Sequence, residues 1–223
     1  MTDAHCHVAD GESRCILCSP FALPAPEGTA LFFGAHPWYL DAFDEARLRA
    51  DLAANPSAGV GEIGLDRLRD RNISPRMRDV FERQLEVAAE LRRPVVLHGA
   101  KCWGEVVKAC RRHAGTVPSF LFHGFSRSDG LLRDMAEMNG FVSVGPAVLN
   151  DHAVNYRELV KRIPSGMLLV ESDRTAENAS ATPPVSEVAA KVAELRGMPF
   201  YEMERLLDAN ADRFLAQAQG GDI

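Results

Sequence analysis

Seven polar residues stand at or just past the ends of short apolar runs: His5, His7, His36, Glu62, His98, His123 and Asp173. Imidazoles and carboxylates together suit Zn²⁺, Mn²⁺ or Fe²⁺, and Mg²⁺ less well where histidines dominate. His5 and His7 are two residues apart, so on an extended segment both imidazoles point the same way while Cys6 points to the other face. Glu62 lies within Val60-Gly61-Glu62-Ile63-Gly64-Leu65-Asp66, where burying a carboxylate is costly unless a partner or metal compensates its charge. Either Glu62 or Asp173 is placed to bridge two ions, and two metals about 4 Å apart suit phosphodiester hydrolysis. Asp173 is the candidate base for the attacking water, which makes Glu62 and Asp173 the expected catalytic carboxylates. His98 or His123 has an alternative role in orienting phosphate.

Residues spread from 5 to 173 meet only if the fold gathers the ends of their runs. Eight runs qualify as strands: the segment before His5, Cys15 to Cys18, Leu31 to Phe33, Val60 to Ile63, Val95 to Leu97, Phe120 to Phe122, Phe141 to Val144 and Met167 to Val170. Several lack polar alternation, as expected of a parallel sheet buried on both faces. Between them, Ser74 and Pro75 read as an N-cap and first helical residue ahead of a stripe through Met77, Phe81, Leu85, Ala88 and Leu91. Asp41 to Ala54, Trp103 to His113, Ser128 to Met138 and His152 to Arg162 read as further helices. Two amphipathic stripes follow, one from Val185 to Leu195 ended by Gly197 and one from Phe200 to Phe214.

The alternation predicts an α/β chain folded as a TIM-type (β/α)₈ barrel, whose strands open at their C-terminal ends onto one active face. The 223 residues are few for a fold that usually takes roughly 250. Residues 8–30 must contain the second strand, so the early βα units are expected to be trimmed, with Pro20 to Gly28 as a loop. A single domain over residues 1–223 is the expectation.

A net charge of −6 argues against a broadly basic nucleic-acid coat. With neither a basic run leading into an apolar stretch nor a bilayer-length apolar segment, a soluble cytoplasmic protein is expected, with no membrane partner. The five cysteines read as free thiols, and Cys15 with Cys18 as core or edge residues. Arg67, Arg69, Arg71, Arg76 and Arg78, interspersed with Asp66, Asp70 and Asp79, read either as a solvated surface or as a grip on phosphate. Lys101 and Arg127 are phosphate candidates, Trp38 and Tyr39 candidates for stacking on a base.

Six segments then run in order along the chain: Asp3-Ala4-His5-Cys6-His7, Gly34-Ala35-His36-Pro37, Gly61-Glu62-Ile63-Gly64-Leu65-Asp66, Pro94-Val95-Val96-Leu97-His98, Phe122-His123-Gly124-Phe125-Ser126 and Leu168-Leu169-Val170-Glu171-Ser172-Asp173. Together they resemble the TatD family of metal-dependent deoxyribonucleases, within the amidohydrolase-like barrels. The resemblance implies His5, His7, Glu62, His98, His123 and Asp173 as the site of one or two divalent ions, of Mg, Mn or Zn. It implies hydrolysis of DNA phosphodiester bonds, often from an end, and His36 as a supporting or substrate-contact residue. The chain departs from the pattern in its short segment after His7, in Lys101 following His98-Gly99-Ala100 without the usual arginine, and in Arg174-Thr175-Ala176 after Asp173. The expected function is a metal-dependent phosphodiesterase, a DNase of exonuclease type, monomeric and without an obligate protein partner. The alternatives are hydrolysis of a small phosphoester, cyclic amide or lactone, and a non-catalytic metal-bound scaffold.

Overall fold

The computed structural model describes residues 1–126 and 129–216. Eight parallel strands pair in sequence order: β1 (Thr2–Cys6), β2 (Arg14–Ser19), β3 (Thr29–Phe33), β4 (Gly59–Asp66), β5 (Val95–Ala100), β6 (Phe120–Phe122), β7 (Gly140–Val144) and β8 (Leu168–Val170). Past β8 the chain returns to β1, where Asp173 N donates to His5 O at 3.0 Å and His7 N to Arg174 O at 2.8 Å. The sheet is thereby drawn into a nearly closed barrel of the predicted TIM type.

Five of the seven described crossovers carry a helix. These are α1 (Glu45–Ala54), α2 (Pro75–Glu90), α3 (Trp103–Arg111), α4 (Leu132–Glu137) and α5 (Val154–Arg162), with α6 (Val185–Arg196) and α7 (Phe200–Ala216) after the last strand. The β1–β2 and β2–β3 connections have none, so the early units are trimmed as expected and residues 20–28 form a loop. Helix α2 begins as read, with Ser74 Oγ accepting from Met77 N and Pro75 opening the first turn. Other boundaries move inward. Asp44 caps α1 after a separate 3₁₀ turn at Leu40–Ala42, α5 starts at Val154 after a turn at Asp151 and His152, and Met167 ends a 3₁₀ turn instead of opening β8. The predicted helix from Ser128 becomes a 3₁₀ turn at Asp129–Leu131 followed by α4, its first residue lying outside the described set. No helix among the described residues is long and apolar enough to cross a membrane.

Two apolar layers follow from strand alternation. Outward residues such as Val60, Ile63, Leu65, Val95, Leu97, Phe120 and Phe122 pack under the helices. Inward residues Ala4, Ile16, Phe32, Val96, Leu121, Phe141 and Leu169 fill the barrel below the active face, and Phe214 of α7 joins them from beneath. Its ring stacks on Phe32 and meets Phe141 edge-on, both at 5.7 Å. Ser119 Oγ donates to Phe214 O at 3.0 Å, fixing the end of the helix to the sheet. Phe214→Ala therefore opens a cavity in the barrel floor and is expected to cost roughly 3–5 kcal/mol in urea unfolding; a loss below about 1 kcal/mol would show that α7 is not the plug.

Candidate metal centre

On four strands the side chain facing the site lies two residues beyond one that fills the barrel: Val96 then His98, Leu121 then His123, Phe141 then Ser143, Leu169 then Glu171. On β1 and β4 a bulge does the same work. Between Asp3 and Cys6, and between Val60 and Ile63, three steps on one strand match two on its neighbour. Each bulge turns two adjacent residues inward, Ala4 with His5 and Gly61 with Glu62, after which His7 and Asp66 follow by alternation. Gly64 allows β4 to lie against β5: its φ is +156°, and a Cβ there would fall 2.0 Å from His98 O. His36 is held from behind by buried Gln84, whose amide accepts from Ala35 N at 2.6 Å and donates to Ala35 O at 3.1 Å.

Glu62 sits at the centre of five imidazoles. Its Oε1 is 2.6 Å from His123 Nε2, 2.7 Å from His98 Nδ1 and 3.5 Å from His36 Nε2. Its Oε2 is 3.2 Å from His7 Nε2 and 3.3 Å from His5 Nε2. Asp173 stands at the mouth, its side chain 51% exposed, with Oδ1 3.6 Å from His5 Nε2 and 3.9 Å from His7 Nε2. Three groups bring their donor atoms within 4.8 Å of one another: His5, His7 and Glu62; His36, Glu62 and His98; His5, His123 and Asp173. The six ligands implied by the family resemblance are thus brought together, and His36 joins them.

The residues fit a divalent cation better than they fit one another. Both nitrogens of fully buried His5, and Nδ1 of His123, have no hydrogen-bond partner, a cost of about 1–3 kcal/mol for each such group. His98 Nδ1 faces His36 Nε2 and His123 Nε2, each at 3.4 Å, an arrangement of nitrogens suited to a shared cation. Burial pushes the Glu62 carboxyl upward, but His123 and His5 outweigh it and hold the group well below the usual range. Burial depresses His5, and the charge of His123 adds to that effect. His123 is driven the other way: Glu62 and Glu171 overcome burial and raise it well above the ordinary histidine value. The chain therefore centres a buried anion among imidazoles whose facing nitrogens compete for it, an arrangement consistent with one or two divalent ions.

Three further carboxylates support the cluster. Asp66, read from the sequence as part of a solvated arginine-rich surface, is instead 1% exposed and faces the site. Its Oδ2 is 3.1 Å from His98 Nε2 and accepts from Trp38 Nε1 at 2.6 Å. Buried Glu171 lies 3.5 Å from His123 Nδ1 and accepts from Ser143 Oγ. Asp3 Oδ1 accepts from Ser172 N at 2.9 Å and His5 N at 3.3 Å, tying the seam between first and last strands; burial pushes its carboxyl up to about 7. The signal for Asp66 was its even spacing from Glu62 on one strand, and for Glu171 its place two residues past Leu169.

A cleft of about 480 Å³ opens above the cluster, lined by Leu68, His98, Lys101, His123, Ser126 and Asp173 among others. Lys101 is exposed on its rim. Trp38 is 50% exposed beside His36, its indole edge-on to that imidazole at 5.2 Å. Arg67 and Arg78 converge on Glu105, whose single charge offsets one of theirs and holds both in place. Arg127 lies outside the described residues.

Residues 22–216 match the family described as TatD related DNase. The sequence is 29% identical over 194 residues to the uncharacterized metal-dependent hydrolase YabD of Bacillus subtilis strain 168, covering 81% of this chain and 74% of that protein. It is 27% identical over 192 residues to the 3'-5' ssDNA/RNA exonuclease TatD of Klebsiella pneumoniae strain 342, covering 79% and 73%. In fold it resembles the crystal structure of YJJV, a TATD homolog from Escherichia coli K12, with a TM-score of 0.83 at 22% identity over 96% of this chain and 97% of that one.

An ion at a hundred times its dissociation constant stabilises the folded state by about 2.7 kcal/mol. Addition of Mn²⁺ or Zn²⁺ to chelator-stripped protein is expected to raise the thermal midpoint by about 5–10 °C, and Glu62→Gln to abolish the rise. Equal midpoints with and without metal would show that the cluster holds none.

Proposed function

Because the chain belongs to the TatD related DNase family, we propose that this metal-dependent hydrolase cleaves phosphodiester bonds in DNA, working from an end. The observation that carries the reading is one buried carboxylate shared by two of the donor triads, beneath a cleft open to a polymer. The similarity to proteins named as 3'-5' ssDNA/RNA exonucleases supports the polymer substrate and the end-directed mode. His5, His7, Glu62, His98, His123 and Asp173 are the proposed ligands.

Bound there, divalent cations would supply a Lewis acid for the phosphoryl oxygens and a water acidic enough to attack at neutral pH. The chain's own groups divide the remaining work. Glu62, withdrawn from solvent and held anionic, fixes the histidines around it. Asp173 is the one carboxylate of the cluster with a half-exposed side chain, so it takes the proton of the attacking water at its free oxygen. His36, wedged between Trp38 and His98, contacts the substrate phosphate or its sugar. Lys101 on the rim meets the next phosphate as a point charge, an attraction that fades with salt.

The test is a time course on end-labelled single- and double-stranded DNA, using metal-stripped protein reconstituted separately with Mg²⁺, Mn²⁺ or Zn²⁺. Stepwise shortening that depends on metal is expected. Asp173→Asn, which keeps the shape of the side chain, is expected to slow it about 10²–10⁴-fold, and the H98A/D173A variant to abolish it. Lys101→Ala is expected to raise KM and flatten the salt dependence. Intact DNA in every lane, with turnover of a small phosphoester or lactone instead, would overturn the reading.

A further inference from the structure

The carboxylate of Asp66 holds four donors from three parts of the active face. Oδ2 takes the indole N–H of Trp38 at 2.6 Å and lies 3.1 Å from Nε2 of His98, while Oδ1 accepts from Leu68 N at 2.7 Å and Arg69 N at 3.0 Å. One buried anion thus joins the loop after β3, the loop after β4 and an imidazole that faces Glu62. An indole that donates its edge to a fixed acceptor cannot rotate freely, yet half of the Trp38 surface remains open to solvent. A large aromatic held rigid and half bare at the lip of a catalytic cleft suits stacking on a planar ring. Leu68, fixed to the same carboxylate and 72% exposed, adds apolar surface where it lines the cleft.

The spacing suits a nucleobase as the planar ring. Trp38 packs edge-on against His36, whose centroid is 4.6 Å from that of His98. The indole therefore lies against the outermost imidazole of the cluster, one ring away from His98, much as one sugar separates a nucleobase from its phosphate. We propose that Trp38 is the stacking subsite for the nucleobase adjoining the cleaved phosphate, and that Asp66 is the positioning residue which locks this subsite to His98. The inference rests on the nuclease reading and adds a requirement to it: the nucleotide next to the scissile bond must carry its base. A phosphodiester without a base fills only half of the site.

The chain contains two tryptophans; Trp103 opens α3, is 5% exposed and also lines the cleft, so quenching is assigned to Trp38 by its loss in Trp38→Phe. The probe is a dithymidine with a phosphorothioate linkage, together with analogues lacking one or both bases, titrated into the metal-loaded enzyme at concentrations that inhibit DNA cleavage. Quenching by the complete compound is expected, with loss of quenching when the stacking base is removed and absence of the signal in Trp38→Phe. Trp38→Ala is expected to raise KM for plain oligonucleotides about tenfold, with Trp38→Phe recovering most of the loss and kcat changing far less. Asp66→Asn, checked for folding by circular dichroism, is expected to lose preference for base-bearing over abasic substrate. Quenching that persists without either base, or its absence at inhibitory concentrations while DNA is cleaved normally, overturns the subsite and leaves the nuclease reading intact. Base-dependent quenching by a protein that leaves DNA uncut overturns the nuclease reading and leaves the subsite standing.

Discussion

A carboxylate at the axis of a barrel is the constraint around which the active face is arranged. Glu62 is nearly inaccessible, and among the described residues no arginine or lysine pairs with it. Its charge is answered, among the described residues, by imidazoles, groups that are neutral or charged according to what else binds. Protons answer that charge unevenly: against burial, the carboxylates raise His7, His98 and His123, while burial and the charge of His123 lower His5. The remaining partners follow from this: Asp66, Glu171 and Asp3 approach from outside the ring of histidines, each fixing an imidazole or the strand that bears it. Carboxylate partners behind a ligand histidine set its orientation and basicity.

The apolar core and the polar site belong to one alternation. Along β5 to β8 a residue that fills the floor is followed two positions later by one that faces the cluster, so the depth of the site is set by the plug beneath it. The bulges in β1 and β4 break this rule where it is most useful. By turning two neighbours inward they give a single strand both a floor residue and a group for the site one step above it. Bulges are uncommon in parallel pairs, and their presence on the two strands that bring His5, His7 and Glu62 points to positioning as their role.

Much of this was legible in the chain. The eight apolar runs are the eight strands, the two early connections lack helices, and the residues at the run ends share one face. Such features survive in a sequence because a parallel barrel demands uninterrupted apolar strands and places chemistry at their ends. What was not legible depended on register or on competition between polar partners. Asp66 lies in a stretch of alternating acids and arginines that looks like any solvated loop, and only the bulge before it turns its carboxylate inward. Glu171 was visible as part of a motif, but its contact with His123 needs the geometry of two strands. Helix starts at Glu45 and Val154 were missed by a few residues because a 3₁₀ turn and a turn precede them and continue the local pattern.

The two missing crossover helices leave one side of the barrel built differently from the rest. Outside β1 and β2, among the described residues, lies a small cluster of Cys6, Cys15 and Leu17 with Ala9 and Leu31 against it, whereas the other strands lie beneath a continuous apolar layer. Local opening occurs where few apolar contacts cover a backbone ladder, so these two staves are the first to breathe. They also carry His5 and His7, with His7 Nδ1 resting on Cys18 O at 3.2 Å. The clustered side chains brought by β4, β5 and β6 lie beneath helices, while two of the six ride on the thinnest wall. The cluster is therefore bounded by two kinds of wall, a helix-covered one behind Glu62 and a thin one behind His5 and His7.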